Sequence, residues 1–188
     1  MLFFRLDVQL VSLLSVCYWV FFRCNVITVI YSAQNIRFKC FALQETSSGI
    51  IVFRNAGGQR MYLLLHYQYR GDYWDFPRGN IKDPETPRMA AVRETEEETG
   101  LTVSQLRMVE GFEERVKWFY RFNGEPVHKS VIYYLAETGI EDVRISDEHV
   151  GAQWLSYEDA LNMLKYRNSK KLLKKAENYL RKLEDFKV

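Results

Sequence analysis

Glu94, Glu97 and Glu98 are the residues of this 188-residue chain best placed to do chemistry. Spaced i, i+3, i+4, they fall within roughly a 100° arc of one face if the segment is helical. Like charges at these spacings repel by roughly 0.2–0.5 kcal/mol per pair in a bare helix, and crowding them into a cleft adds cost or raises their pKa values. A bound divalent cation removes the conflict. Carboxylate oxygens with no Cys or His beside them select a hard ion, Mg2+ or Mn2+, over zinc. Three glutamates alone also describe a solvated helix face, so the neighbouring residues decide.

Those neighbours run from Trp74 to Leu101. Thr86 is a natural N-cap with Pro87 at the first helical position, and Gly100 is a natural C-terminal stop, so the spacing predicts a helix over Pro87–Thr99. Its other face carries Ala91, Val92, Thr95 and Thr99, small enough to pack closely on a sheet. The helix therefore has a core face and a cation face. Before it, Gly79 is followed after five residues by Glu85; seven more lead to Arg93-Glu94, then Glu97-Glu98, Gly100 and Leu101. This pattern resembles the Nudix box, and on it the chain is identified as a member of the Nudix hydrolase family. Thr95 departs from the family, which usually has an aliphatic residue there.

The resemblance implies an α/β fold, a mixed β-sheet sandwiched between helices. It also implies a loop–helix–loop that binds Mg2+ or Mn2+ and hydrolyses a nucleoside diphosphate linked to another group. Phosphoanhydride hydrolysis independently needs cations on the phosphate oxygens and a carboxylate to take a proton from water. Glu94 and Glu98 are implied as principal metal ligands, with Glu97 sharing a second ion and the Gly79 carbonyl approaching the metal. Glu85 and Arg93 hold loop and helix together. The general base stays open between Glu94 and Glu97.

Over residues 47–186 the chain is most similar to the asymmetrical diadenosine tetraphosphate (Ap4A) hydrolases. The residues are Trp74-x-x-Pro77-Arg78-Gly79, Val109-Glu-Gly-Phe112, Lys129 to Glu137, and Ser146-Asp-Glu-His149 followed by Trp154-Leu155. By that similarity Arg78 and Lys129 contact phosphates, Glu148 faces the metal helix from a loop, and Trp118 and Tyr133 line an adenine pocket. The expected products are ATP and AMP. Each residue also has a plainer reading. Tyr133 or Tyr134 must be core, Trp118 can simply pair across a hairpin, and His149 suits a structural hydrogen bond. Tyr73 stands where relatives often carry His. An RNA 5′ triphosphate end, a diphosphoinositol phosphate or an oxidised nucleoside triphosphate are alternative substrates, and a non-catalytic nucleotide-binding module is a further alternative. The partner implied is a small nucleotide, with nucleic acid entering only through an RNA 5′ end.

The elements that must position these residues are legible around them. Gly49–Arg54 and Met61–Tyr67 read as two strands joined by the turn Asn55–Gly58. Arg115–Phe122 and Val127–Glu137 flank Asn123-Gly124, a hairpin signal, with a loop expected to exceed two residues. Val150–Trp154 is a candidate strand, and Ser156 with Asp159 resembles a capping box opening a helix to about Tyr166. Leu172, Leu173, Ala176, Tyr179, Leu180, Leu183 and Phe186 recur at helical spacing, which predicts an amphipathic C-terminal helix. Its Lys- and Arg-rich side reads as a solvated face.

With 47% hydrophobic and 27% charged residues, 10 Gly and 4 Pro, the chain is neither disordered nor collagen-like nor of low complexity. A net charge of +2 does not by itself point to nucleic acid, and residues 45–188 sum to −1. Residues 1–44 read as a separate hydrophobic extension to a domain at 45–188. They contain Val8–Phe22, a charge-free run of 15, and all three cysteines, Cys17, Cys24 and Cys40, whose spacing fits neither a disulfide framework nor a zinc site. A reducing, cytoplasmic compartment is expected. Fifteen residues are short for a membrane span, which wants about 18 or more. A non-native upstream extension, a membrane anchor and a packed addition remain open for this segment.

Overall fold

The computed structural model describes the chain over residues 43–68 and 71–186, and the backbone at 19–22, 25–30 and 37–38. The chain divides into two units, Met1–Leu43 and Gln44–Val188. In the first, strands β1 (Trp19–Phe22), β2 (Asn25–Ile30) and β3 (Arg37–Phe38) form an antiparallel sheet in that order, with Trp19 opposite Thr28 and Val29 opposite Phe38. Residues 8–18 of the apolar run and all three cysteines lie outside the described residues. Among the described residues no helix is long and apolar enough to cross a membrane.

In the second unit β4 (Leu43–Ala56) and β5 (Gln59–Tyr67) pair antiparallel around Gly57 and Gly58, both at positive φ. That is the two-residue hairpin geometry glycine permits at no steric cost. β6 (Tyr73–Asp75) adds to β5, and β7 (Arg78–Asn80) adds to β4. After α1 (Pro87–Thr99) come β8 (Arg107–Met108), β9 (Glu114–Phe122), β10 (Glu125–Glu137), β11 (His149–Ser156), α2 (Tyr157–Met163) and α3 (Arg167–Asp185). The main strand order is β11-β5-β4-β10-β8, with β9 paired to β10.

Ile50–Phe53 and Tyr62–Leu65 are buried without alternation because both faces of the sheet are covered. Ile51, Phe53, Tyr62 and Leu64 pack with Ala160 of α2 and Leu172, Leu173, Ala176 and Leu180 of α3. Ile50, Val52 and Leu63 pack with Ala91 of α1, Leu101 and Leu106. The result is the α/β class, a mixed sheet with helices on its faces. Each buried α3 leucine contributes about 1.5–3 kcal/mol of transfer free energy, which anchors the helix.

Three local expectations are corrected. The β9–β10 loop has two residues, because Asn123 and Gly124 both take positive φ and the register resumes at once with Phe122 opposite Glu125. Helix α2 stops at Met163, where Leu164 turns extended to bury its side chain and bridge Trp74. Phe186 lies beyond the last turn of α3 and is exposed.

Candidate active site

Helix α1 has the predicted bounds, and its caps explain them. Thr86 Oγ1 accepts the Met89 N–H at 3.2 Å, and Gly100 at φ 72° donates its N–H to Glu96. Ala90, Ala91, Thr95 and Thr99 form the buried side, with Val92 half-buried at its margin. Thr95 replaces an aliphatic residue without leaving a bare hydroxyl, since it donates to Ala91 O at 2.8 Å.

The glutamates diverge in environment. Glu98 is only 7% exposed. It accepts the Arg78 N–H at 2.9 Å and the Tyr67 hydroxyl at 3.3 Å, and the imidazole Nε2 of buried His149 stands 3.0 Å away. Glu94 is half-buried against Gly79, and burial raises its carboxyl above the ordinary value while Arg93 opposes the rise. Glu97 is the most exposed of the three. Arg93 reaches across them: its Nη1 donates to Glu94 at 2.6 Å and to Glu97 at 3.0 Å, while Nη2 holds Glu85 at 2.9 Å and the Asn80 carbonyl at 3.0 Å. The Arg93 guanidinium and the Lys82 N–H hold the Glu85 carboxyl down at about 2. One arginine thus ties the loop before α1 to two carboxylates on it.

Strand alternation separates two sides of β7. Gly79 meets α1, while Arg78 faces a cavity of about 570 Å3 between sheet and α3. Arg78, Lys129, Trp118 and Tyr133, singled out in the sequence for substrate contact, all line that cavity. Lys129 and Trp118 are directly opposed in the β9–β10 register. Tyr133 is buried at the floor with its ring edge toward Phe76, whereas Tyr134 packs on the α1 side. Lys129 Nζ contacts Glu45 at 3.1 Å and Asn80 Oδ1 at 2.9 Å. Since Asn80 also gives its carbonyl to Arg93, one residue joins the cavity to the glutamate helix.

Glu148 is exposed in the turn before β11. The loop carrying it reaches α1, through Ser146 N to Glu98 O at 3.4 Å. The sequence did not place Tyr73, Tyr166 or Arg167 in the wall of this cavity. Tyr73 stacks on Tyr67 at 5.2 Å and meets Tyr166 edge-on at 5.2 Å, and Arg167 lines the same space. Tyr166 read as the end of a helix, and nothing in its spacing ties it to Tyr73.

The donor set fits a hard divalent cation in kind: carboxylate oxygens within one turn of helix, partly withdrawn from water, with Arg93 as the balancing charge. As the side chains stand, no group of three His, Cys, Asp or Glu converges among the described residues. Glu98 is engaged by Arg78 and Tyr67, and Arg93 holds the other two.

The loop, the capped helix and its carboxylates define a Nudix hydrolase: the NUDIX domain family matches residues 44–176, and the chain belongs to it. Among its relatives, the asymmetrical bis(5′-nucleosyl)-tetraphosphatase of Caenorhabditis elegans is 35% identical over 135 residues, covering 71% of this chain and 95% of that protein. The Mus musculus protein of the same name is 34% identical over 140 residues, covering 70% and 92%. A crystal structure of a C. elegans Ap4A hydrolase binary complex superposes with a TM-score of 0.66 at 34% identity, covering 73% of this chain and 98% of that one.

Proposed function

We propose that this hydrolase cleaves Ap4A asymmetrically to ATP and AMP with the aid of Mg2+ or Mn2+. The observation that carries the reading is the cavity in which Arg78, Lys129, Trp118 and Tyr133 meet, one strand away from Glu94 and Glu98. The relatives named as asymmetrical tetraphosphatases support the same substrate.

Arg78 and Lys129 bind phosphate oxygens and set which phosphorus lies near α1. Trp118 or Tyr133 stacks on adenine, worth roughly 1–3 kcal/mol per base. Glu94, Glu97, Glu98, Glu148 and the Gly79 carbonyl would hold the divalent cation. When bound, that cation supplies charge neutralisation on the phosphates and acidifies the attacking water. Glu94 or Glu97 is the general base. It takes the proton of the water as the new P–O bond forms, the outer anhydride bond breaks and the bridging oxygen leaves with the departing nucleotide, so that ATP and AMP separate. Glu85 and Arg93 keep the loop against the helix throughout. All these residues lie within 45–188, so a chain beginning near Ala42 is expected to retain turnover.

Chromatographic product analysis with Mg2+ and Ap4A tests the reading. ATP and AMP in equal amounts are expected. Two ADP would contradict the register, and inert Ap4A beside rapid release of pyrophosphate from RNA 5′ ends would assign the chain to RNA instead.

A further inference from the structure

Positive charge on the folded unit is concentrated on one helix. Between Arg167 and Lys182, α3 carries seven cations and a single acid, Glu177, which is buried. This stretch sums to +6, leaving −7 for the rest of residues 45–188. Every exposed residue in it is Lys, Arg or Asn. Lys175 pairs with Glu114 and Arg181 with Glu177, but Arg167, Lys171, Lys174 and Lys182 form no ion pair among the described residues.

The pattern is unfavourable for the helix itself. Arg167, Lys170, Lys171 and Lys174 repel at i,i+3 and i,i+4, and the first turn, which favours acids, contains none. A sequence that breaks these local rules without gain in packing points to a partner. The stretch is also continuous with the candidate active site, since Arg167, Asn168 and Ser169 at its start line the cavity with Arg78 and Lys129.

We propose that the outward face of α3 is a binding track for the backbone of a single-stranded oligonucleotide, running from the cavity rim to Lys182. Sixteen residues of helix extend about 24 Å, longer than a tetraphosphate requires. At about 3.4 Å per phosphate along a strand, the track faces up to about seven phosphates, fewer in an extended strand. The contacts are those of cations with backbone phosphates, so binding is independent of sequence. The absence of exposed apolar side chains from the stretch disfavours an anionic membrane, where amphipathic helices bury such groups. The track goes beyond the Ap4A reading and does not depend on it.

The test is fluorescence anisotropy of labelled oligouridylate, about twelve nucleotides long with a 5′-hydroxyl, titrated with the full chain over a range of salt. The wild-type chain is expected to bind with a steep salt dependence. Replacing Lys171→Gln, Lys174→Gln and Lys182→Gln together is expected to weaken binding at least about tenfold at low salt. It should lower the log–log salt slope by about two, three cations at roughly 0.7 each. None of these lysines lines the cavity, so kcat for Ap4A stays unchanged, and a failed track is distinguishable from a failed substrate assignment. No binding, equal binding by the triple variant, or capture by phosphatidylserine vesicles without capture by RNA would each overturn the proposal.

Discussion

Glu94 lies so close to the backbone of Gly79 that a β-carbon on Gly79 would sit 2.0 Å from the Glu94 carboxyl carbon. The obstacle is the far end of a flexible side chain, so Gly79→Ala displaces the carboxylate without breaking the strand. We expect kcat to fall by at least about tenfold, equivalent to ~1.4 kcal/mol, with the melting temperature nearly unchanged. Circular dichroism melting beside steady-state turnover checks this, and a large loss of stability would show that the backbone had yielded instead.

Glu85 predicts a pH dependence of a definite sign. Its carboxyl is held at about 2 in the folded chain by Arg93 and the Lys82 N–H, against an ordinary value of 4.5. A depressed folded value contributes stability that is complete above about 4.5 and lost as pH falls toward about 2. Urea midpoints measured from pH 7 downward should therefore decline more steeply in wild type than in Glu85→Gln across that window. Parallel curves would mean that the Arg93 contact contributes nothing to folding.

The parts of the fold legible in sequence are those governed by local rules. Thr86, Pro87 and Gly100 set the ends of α1 because caps act over a single turn, and Gly57-Gly58 marks its hairpin for the same reason. The cavity was legible only through family resemblance, which placed Arg78, Lys129, Trp118 and Tyr133 without showing that they meet. Tyr166 meets Tyr73 across a wide sequence separation, and no periodicity encodes such a contact. Tyr67 read as a strand residue, and its hydroxyl gave no sign of Glu98. Within α3, helical spacing identified the apolar stripe but not Glu177, a charge inside it.

Glu177 accepts the Tyr62 hydroxyl at 2.5 Å, Arg60 at 2.6 Å and Arg181 at 2.7 Å. Burial alone would raise its pKa, but these donors outweigh it and the net shift is downward. Glu177→Ala leaves Arg60, 11% exposed, with Glu184 as its one ion-pair partner among the described residues. Stripping one partner from a buried pair typically costs about 3–5 kcal/mol, and the remaining Glu184 reduces that to roughly 2–3, the scale of one charged hydrogen bond. Chemical denaturation measures it. Turnover per folded molecule should hold, because Glu177 is outside the cavity; a loss in kcat would instead link α3 to the chemistry.

Tyr67 and Glu98 separate holding a carboxylate from being one. Burial, reinforced by the Glu98 charge, pushes the Tyr67 phenol well above its ordinary pKa, so it remains a donor at working pH, shared between Glu98 at 3.3 Å and the Phe76 carbonyl at 3.0 Å. Glu98→Gln removes a charge proposed to hold the cation and should lower kcat by at least about a hundredfold. Tyr67→Phe removes one long hydrogen bond and leaves the Arg78 N–H in place at 2.9 Å, so a loss of about tenfold or less is expected. In both variants the Mg2+ concentration for half-maximal activity should rise, while KM for Ap4A at saturating Mg2+ stays near wild type, since neither side chain lines the cavity. A rise in KM for Tyr67→Phe without a change in Mg2+ requirement would place Tyr67 under the substrate through Arg78, whose guanidinium lies 5.3 Å above its ring, and not behind Glu98.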